Sequence, residues 1–427
     1  MAEQPVVVQR ISWRDLCPWI LIFRSFPVAT SVGVLVFALL GIVLSPMGWL
    51  LSETLFINDG LKENTELMRI VQVNRSPYRG VFLASESHYD SIKVFDTSLS
   101  GPSRVFQQFV KPFEYLFRSN WGVREFCYFL VGCVWSIFVW SFVGVAIARI
   151  CLLRLTRNEQ TGIDDAFEFA LQKWLTTAGA IGIPLIAVAA LCIPGFFIGL
   201  LMSFNFGVVI AGFLWFLVLF ASLAMGLLLL GLMFGWPLMV TSVGCEGQNS
   251  FDAMTRAYAY TFQRPLHYAF YSLVAILFGG FCWLIVHELT NGIVDLAMWS
   301  TSWGANIVSA DRIDLINGTL PLAEEDSLVG NGQSLIGLWN ALFRTIAAAF
   351  IYGLFWCMAS AIYLLLRFDV DESEMDEIYL VAEKRTYDLP PLKSDENGIP
   401  QIQDPTPVSE APAPDNESED DSAEENS

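Results

Sequence analysis

Histidine is nearly missing from this chain. Its 427 residues include three, His88, His267 and His287. They fall in a polar loop, at the start of one apolar run and at the end of another. Imidazoles so dispersed gather at no common site, which argues against a histidine-built metal centre or a Ser-His-Asp triad. The sequence also lacks a Walker A loop, a G-x-S-x-G elbow and an H-E-x-x-H helix. Eight cysteines are present, yet they form no C-x-x-C pair and none lies in the large polar loops. That pattern argues against a disulfide framework and a zinc site, and reads as small apolar side chains in helices. His287-Glu288 keeps two readings, a proton or metal site and a headgroup-level polar terminus.

What the chain has in abundance is apolar side chain. Mean hydropathy is +0.50, and 54% of residues are hydrophobic, with 33 phenylalanines. A soluble domain has too little interior to hide that much. The apolar residues come in long, nearly charge-free runs, and a run of about 18 or more reads as a membrane-spanning helix. The fold class that follows is all-α: a polytopic helical membrane protein of about six transmembrane helices, with a small extracytoplasmic loop subdomain and a disordered acidic C-terminal tail. The net charge of -19 belongs mostly to that tail, since residues 369–427 alone carry a net of -16. Rich in Pro, Asp, Glu and Ser, the tail cannot bury enough surface to offset its ordering entropy.

Residues 1–27 are polar to mixed and precede a first span at 28–51. The region 52–125 is polar. Within it Leu67–Val73, Gly80–Ala84 and Ser91–Phe95 are β-branched-rich and bounded by turn formers, so they read as short strands. Val105–Phe117 has apolar residues at helical spacing around Pro112 and reads as an interfacial amphipathic helix. A helical membrane domain occupies 126–366, and the cytoplasmic tail 367–427. From Leu175 to Val243 the chain is almost continuously apolar, long for two spans and cramped for three.

A repeat decides between them. Glu246, Asp252, Ala253 and Ala257 share the pattern E-x5-D-A-x3-A with Glu159, Asp165, Ala166 and Ala170, 87 residues upstream. Equivalent segments face one compartment, so two crossings separate them, with a turn near Ser203–Asn205. Charge placement agrees. With both termini in the cytoplasm, inside segments hold 13 basic residues and the short outside loops only Arg312. This is the positive-inside bias, and the nine basic residues of the 52–124 loop do not weigh against it, because long loops translocate largely regardless of charge. Arg344 reads as a snorkelling residue at a span edge, or as a functional intramembrane charge. Trp13, Trp19, Trp49, Trp121, Trp174, Trp236 and Trp339 fall near predicted span ends, as an aromatic belt does.

The island Cys245–His267 offers the best local physics. Asn249 or Ser250 can cap a helix with Asp252 in its first turn and Arg256 four residues on; Arg264 closes it and Pro265 begins the next span. Thr161 can cap the upstream copy. Tyr258, Tyr260 and Phe262 suit headgroup level. One reading makes Glu159, Asp165, Glu246, Asp252, Arg256 and Arg264 a polar cluster on the cytoplasmic face that holds a lipid headgroup, an ion or a partner. The other is an interfacial helix-turn pinned by local ion pairs. Pro184, Pro194-Gly195 and Gly235-Trp236-Pro237 interrupt the third and fourth spans, as broken helices do at some transporter sites.

The run EGQNSFDAMTRAYAYTFQRPLHYAFY, preceded by GWPLM, resembles a stretch of uncharacterised planctomycete-type bacterial multi-pass membrane proteins. More distantly, a span, a Glu and a short D-A-x-x-R/S helix leading into the next span is similar to the membrane-domain family associated with glycerophosphoryl diester phosphodiesterases. The resemblance covers about 154–290. It implies a helical membrane domain with paired cytoplasmic helices and carries over no catalytic residue. The expected function is a non-enzymatic scaffold or accessory protein of the inner membrane that organises lipids or partner proteins, itself included as a homo-oligomer. A small-molecule or lipid transporter using the broken central spans is the alternative. No cofactor, metal or nucleic acid is expected.

Overall fold

The structure is a computed structural model that describes residues 17–58, 64–75, 91–118, 121–308, 327–373, 377–379, 393–394 and 400–401. A 3-10 turn at Pro18–Arg24 leads into α1 (Ser25–Ala29) and then α2 (Val32–Phe56). Next come α3 (Thr65–Arg75), α4 (Ser91–Leu116), α5 (Val123–Thr156), α6 (Ile163–Leu201) and α7 (Asn205–Glu246). A short α8 (Ser250–Gln263), α9 (Pro265–Val308) and α10 (Ser327–Asp371) complete the body. Six of these helices, α2, α5, α6, α7, α9 and α10, are long and apolar enough to cross a membrane. The chain is a polytopic all-α membrane protein. The ambiguous apolar stretch is a hairpin of two helices that turns at Met202–Phe204, as the repeat argument requires. A second unit, 380–427, has as its described part a two-residue antiparallel pairing of Lys393–Ser394 with Pro400–Gln401.

The last span is the pillar. In its most apolar stretch 94% of α10 is buried inside the protein, against 17% for α6 and 0% for α7. The α6/α7 hairpin therefore presents its turn-side half to the surroundings, with Phe213, Phe220 and Phe206 exposed, while Gly235–Cys245 of the same α7 is wholly buried. In lipid such exposure costs nothing, because acyl chains are as apolar as the side chains. Helices there associate through close packing and hydrogen bonds instead. The packing of α2 on α5 shows how. The Trp135 ring fills the space beside Gly48, where a β-carbon would sit 2.0 Å from it. Trp49 fills the space beside Gly132 in return, at 2.1 Å, and Trp140 lies against Gly41. Trp135 also donates to Leu44 O at 2.9 Å.

Several expectations change here. Leu67–Val73 is helical, not a strand: Leu67 and Val71, one turn apart, pack into a small core with Trp49, Tyr128, Phe129 and Cys133. Ser91–Phe95 is the first part of α4, and Gly80–Ala84 lies outside the described residues. The amphipathic helix of 105–117 is a piece of α4 that enters the bundle rather than lying on a surface. Val105 is fully buried, and Phe109 sits among Trp140, Trp236, Tyr352 and Trp356. Its polar Gln108 accepts a hydrogen bond from Tyr352. An amphipathic face looks the same in sequence whether it meets headgroups or other helices. The belt reading also fails for Trp49 and Trp236, which are buried in the core; Trp339 is exposed, and Trp13 is outside the described residues. Finally, α6 runs unbroken through Pro184 and Pro194, and α7 through Pro237. The broken spans expected from those prolines are continuous helices.

Candidate functional site

The island forms the corner between α7 and α8. Glu246 is the last residue of α7, and Gly247 ends the helix with φ +61, a left-handed conformation that glycine adopts without strain. The ring of Tyr379 lies close against it, where a β-carbon would come within 2.8 Å. Asn249 is the N-cap residue of α8 by backbone geometry, but its side chain makes no capping bond. Ser250 donates instead to Thr176 O of α6 at 2.8 Å, and Lys173 Nζ donates to Gly247 O at 2.5 Å. The start of α6 and the α7–α8 corner are thus bonded side by side at one end of the bundle. At α6 itself the N-cap is Gly162, without a side-chain capping bond, so Thr161 does not cap it.

Three elements meet at Glu246. Its Oε1 accepts from Arg256 Nη1 of α8 at 2.5 Å and from the Tyr363 hydroxyl of α10 at 2.9 Å. Arg367 Nε of α10 lies 3.3 Å from the same oxygen. Ser242 Oγ is 3.2 Å from the Tyr363 oxygen and itself accepts from Gln248. Arg256 also lies 3.5 Å from Asp371, whose carboxylate accepts from Tyr260. Arg367 Nη1 donates to Glu377 O at 2.6 Å, and Tyr379 N donates to Cys245 O at 2.9 Å. These contacts fasten residues 377–379 back onto the corner. Nearby, Arg149 donates to Gly244 O at 3.3 Å and stands over the Phe169 ring.

The electrostatics follow from this geometry. Burial alone would press the Arg256 guanidinium down, but the Glu246 carboxylate, with Asp371 beyond it, holds its pKa above the ordinary arginine value. Burial, reinforced by its bond to Asp371, pushes the Tyr260 hydroxyl well up. Tyr258 is pushed up to about 12 by burial; its hydroxyl donates to Leu228 O at 2.6 Å. Both phenols are therefore protonated donors throughout the physiological range.

Of the six expected cluster residues, the structure brings two together, Glu246 and Arg256. Asp252 is exposed, and Arg256 turns away from it toward Glu246 and Asp371. Arg264, Glu159 and Asp165 are exposed, and none forms an ion pair among the described residues. The alanines of the repeat do behave alike: Ala166, Ala170, Ala253 and Ala257 are all fully buried. Sequence reasoning missed Tyr363, Arg367 and Asp371. Their four-residue spacing puts them on one face of α10, a signal that was available. Tyr260, read as a headgroup aromatic, is fully buried and belongs to the network.

Away from this corner, two apolar cavities of about 370 and 480 Å³ lie on either side of a stacked wall of Phe106, Trp236 and Phe355. Among the described residues, no group of three or more His, Cys, Asp or Glu side chains is placed to hold a metal ion. In comparisons with family models, curated proteins and solved structures, the chain matches none.

Proposed function

We propose that this chain is a non-enzymatic scaffold or accessory protein of the inner membrane, with both termini in the cytoplasm, that organises lipids or partner proteins. One observation carries the reading: the Glu246 carboxylate is engaged from three sides, by Arg256, Arg367 and Tyr363. A carboxylate that serves as a base or binds a ligand needs an open approach. Glu246 instead ties α7, α8 and α10 into one corner. The bias of basic residues toward the same side supports the orientation, and the resemblance of residues 154–290 to membrane domains without a catalytic barrel belongs to this reading.

The exposed turn-side half of α6/α7 is the surface on which such a protein meets its neighbours. A photo-crosslinking residue placed at Phe213 or Phe220 and activated in native membranes tests the idea. Discrete protein adducts, a second copy included, or one enriched lipid class are expected. Adducts with bulk lipid in proportion to its abundance would count against it. A transporter remains the second reading, favoured by the cavities that flank Trp236 rather than by broken helices. Solute or lipid flux into reconstituted vesicles, lost when the 370 Å³ cavity is filled by an Ile181→Phe change, would replace the first reading with the second.

A further inference from the structure

The larger of the two cavities, about 480 Å³, lies between α4, α7, α8, α9 and α10 and reaches the outside of the bundle. Leu238, Ala275, Met358 and Ile362 form a buried floor, whereas Leu230, Phe234 and Phe262 line the cavity and are exposed. Because α7 and α9 are spans, that rim faces acyl chains rather than water. Among the described lining residues none carries a charge, and four are polar: Ser103, Thr261, Tyr268 and Ser272. Thr261 donates to Ala257 O of its own helix, Tyr268 to Phe234 O, and Ser272 to the Tyr268 hydroxyl. Ser103 is likewise engaged.

Water is a poor filling for such a space, since each water needs two to four polar partners. Left empty, the walls forfeit their dispersion contacts on one side. An apolar chain drawn from the bilayer meets both demands, and the length fits. The wall follows α9 from Pro265 to Ile276, about 16 Å at 1.5 Å per residue. One leaflet of hydrocarbon is half of a core about 30 Å thick. At its Pro265 end the cavity meets a cation. Arg264 lies between the lining residues Phe262 and Pro265, immediately before α9 enters the membrane. It is exposed and has no ion pair among the described residues. Asp369 and Asp371, which stand at the same end, are held by Tyr271 and by Arg256 with Tyr260.

We propose that this cavity binds one phospholipid of the surrounding leaflet, with an acyl chain along α9 between Pro265 and Ile276 and its phosphate on the Arg264 guanidinium. A basic residue at the mouth of an apolar pocket between spans is the arrangement that captures a phosphorylated head group. The acyl chain leaves one apolar medium for another, so the hydrophobic effect does not drive its entry. Close packing and the contact of phosphate with Arg264 decide the affinity instead. A neutral diacylglycerol lacks the charge and a free phosphate lacks the chain, so neither satisfies the site by itself. The site deepens the lipid half of the reading above and rests on it in placing the spans in a bilayer.

The test uses the full-length protein in a mild detergent and native mass spectrometry with three additives. Dioleoylphosphatidylglycerol has chains and phosphate, dioleoylglycerol the same chains without phosphate, and glycerophosphoglycerol the phosphate without chains. One phosphatidylglycerol per protein molecule is expected to stay bound under activation that strips further copies. Dioleoylglycerol is expected to bind roughly fivefold more weakly, the worth of one arginine at an anionic surface, and the chainless head group not to be retained. Arg264→Gln is expected to bring phosphatidylglycerol down to the level of dioleoylglycerol. Ala269→Trp sets a ring into the exposed rim and is expected to abolish the single retained lipid. Equal retention of the two dioleoyl lipids by the wild type, or wild-type binding by either variant, would overturn the proposal. If Ala269→Trp does not fold, the Arg264→Gln comparison decides, because an exposed side chain is lost and the packing stays. Crosslinking at Phe213 and Phe220 reads a part of α7 that does not line this cavity, so the scaffold reading and this site fail separately.

Discussion

At the scale of single residues, the polar contacts of the α7–α8 corner converge on Glu246. Removing that carboxylate takes from Arg367, whose side chain is only 9% exposed, its closer ion-pair partner and leaves it Glu377 at 3.6 Å. Breaking a fully buried pair costs about 3–5 kcal/mol; Arg256, at 36% side-chain exposure, is partly screened by solvent, which lowers the figure. Glu246→Ala is expected to lose about 2–3 kcal/mol of stability, Glu246→Gln less, and Asp252→Ala within about 0.5 kcal/mol. Thermal unfolding in detergent micelles gives the order. If Asp252→Ala proved as damaging as Glu246→Ala, the description of the corner would be wrong. How far this was legible in sequence depends on chain distance. Glu246 and Arg256 lie ten residues apart and fall on one island, so local spacing finds them. Tyr363 and Arg367 are more than a hundred residues downstream inside an apolar run, where the sequence marks a span boundary but not which helix that boundary touches.

At the scale of elements, the spans were legible because a long apolar run is a one-dimensional signal. What was not legible is what each face meets. LMRIVQV has a strand-like composition, yet it folds as α3 because Leu67 and Val71 reach the Trp49–Tyr128 core only from a helix. The α4 helix was misplaced for the same reason: nothing along Val105–Phe117 says that Gln108 has a tyrosine waiting inside the bundle. The α2/α5 pair shows the third kind of hidden information, tryptophans that serve packing and not a belt. There a single added methyl group is a sharp probe. Gly132→Ala places a β-carbon 2.1 Å from the Trp49 ring, so the helices must part or the indole must turn, an overpacking cost of about 1–3 kcal/mol. Gly212→Ala on α7 has nothing within 4 Å and is expected to be neutral or slightly stabilising. Tryptophan emission during denaturant or thermal unfolding would separate the two, and a neutral Gly132→Ala would mean that α2 and α5 are not packed this closely.

At the scale of the whole molecule, the bundle has two ends, and the remaining question is which of them faces the cytoplasm. The structure puts the α5–α6 connection, the α7–α8 corner and the end of α10 together, joined by Lys173, Ser250 and Arg367. Three separate segments are therefore obliged to share one compartment, and labelling one assigns all. The orientation proposed above, from the positive-inside bias, would put them in the cytoplasm. Asn249 is the natural reporter, since it is exposed and its side chain makes no capping bond. In a background with Cys17→Ser and Cys127→Ser, the remaining native thiols are buried, apart from Cys192 on the apolar surface of α6, where a charged maleimide does not partition. A cysteine at 249 is then expected to react with such a reagent only after the cells are opened. Restoring Cys127, at the far end of α5, is expected to give the opposite pattern. Labelling of residue 249 in intact cells would invert the bundle as a rigid whole, carrying the Glu246 corner to the outside and the α3/α4 end to the inside.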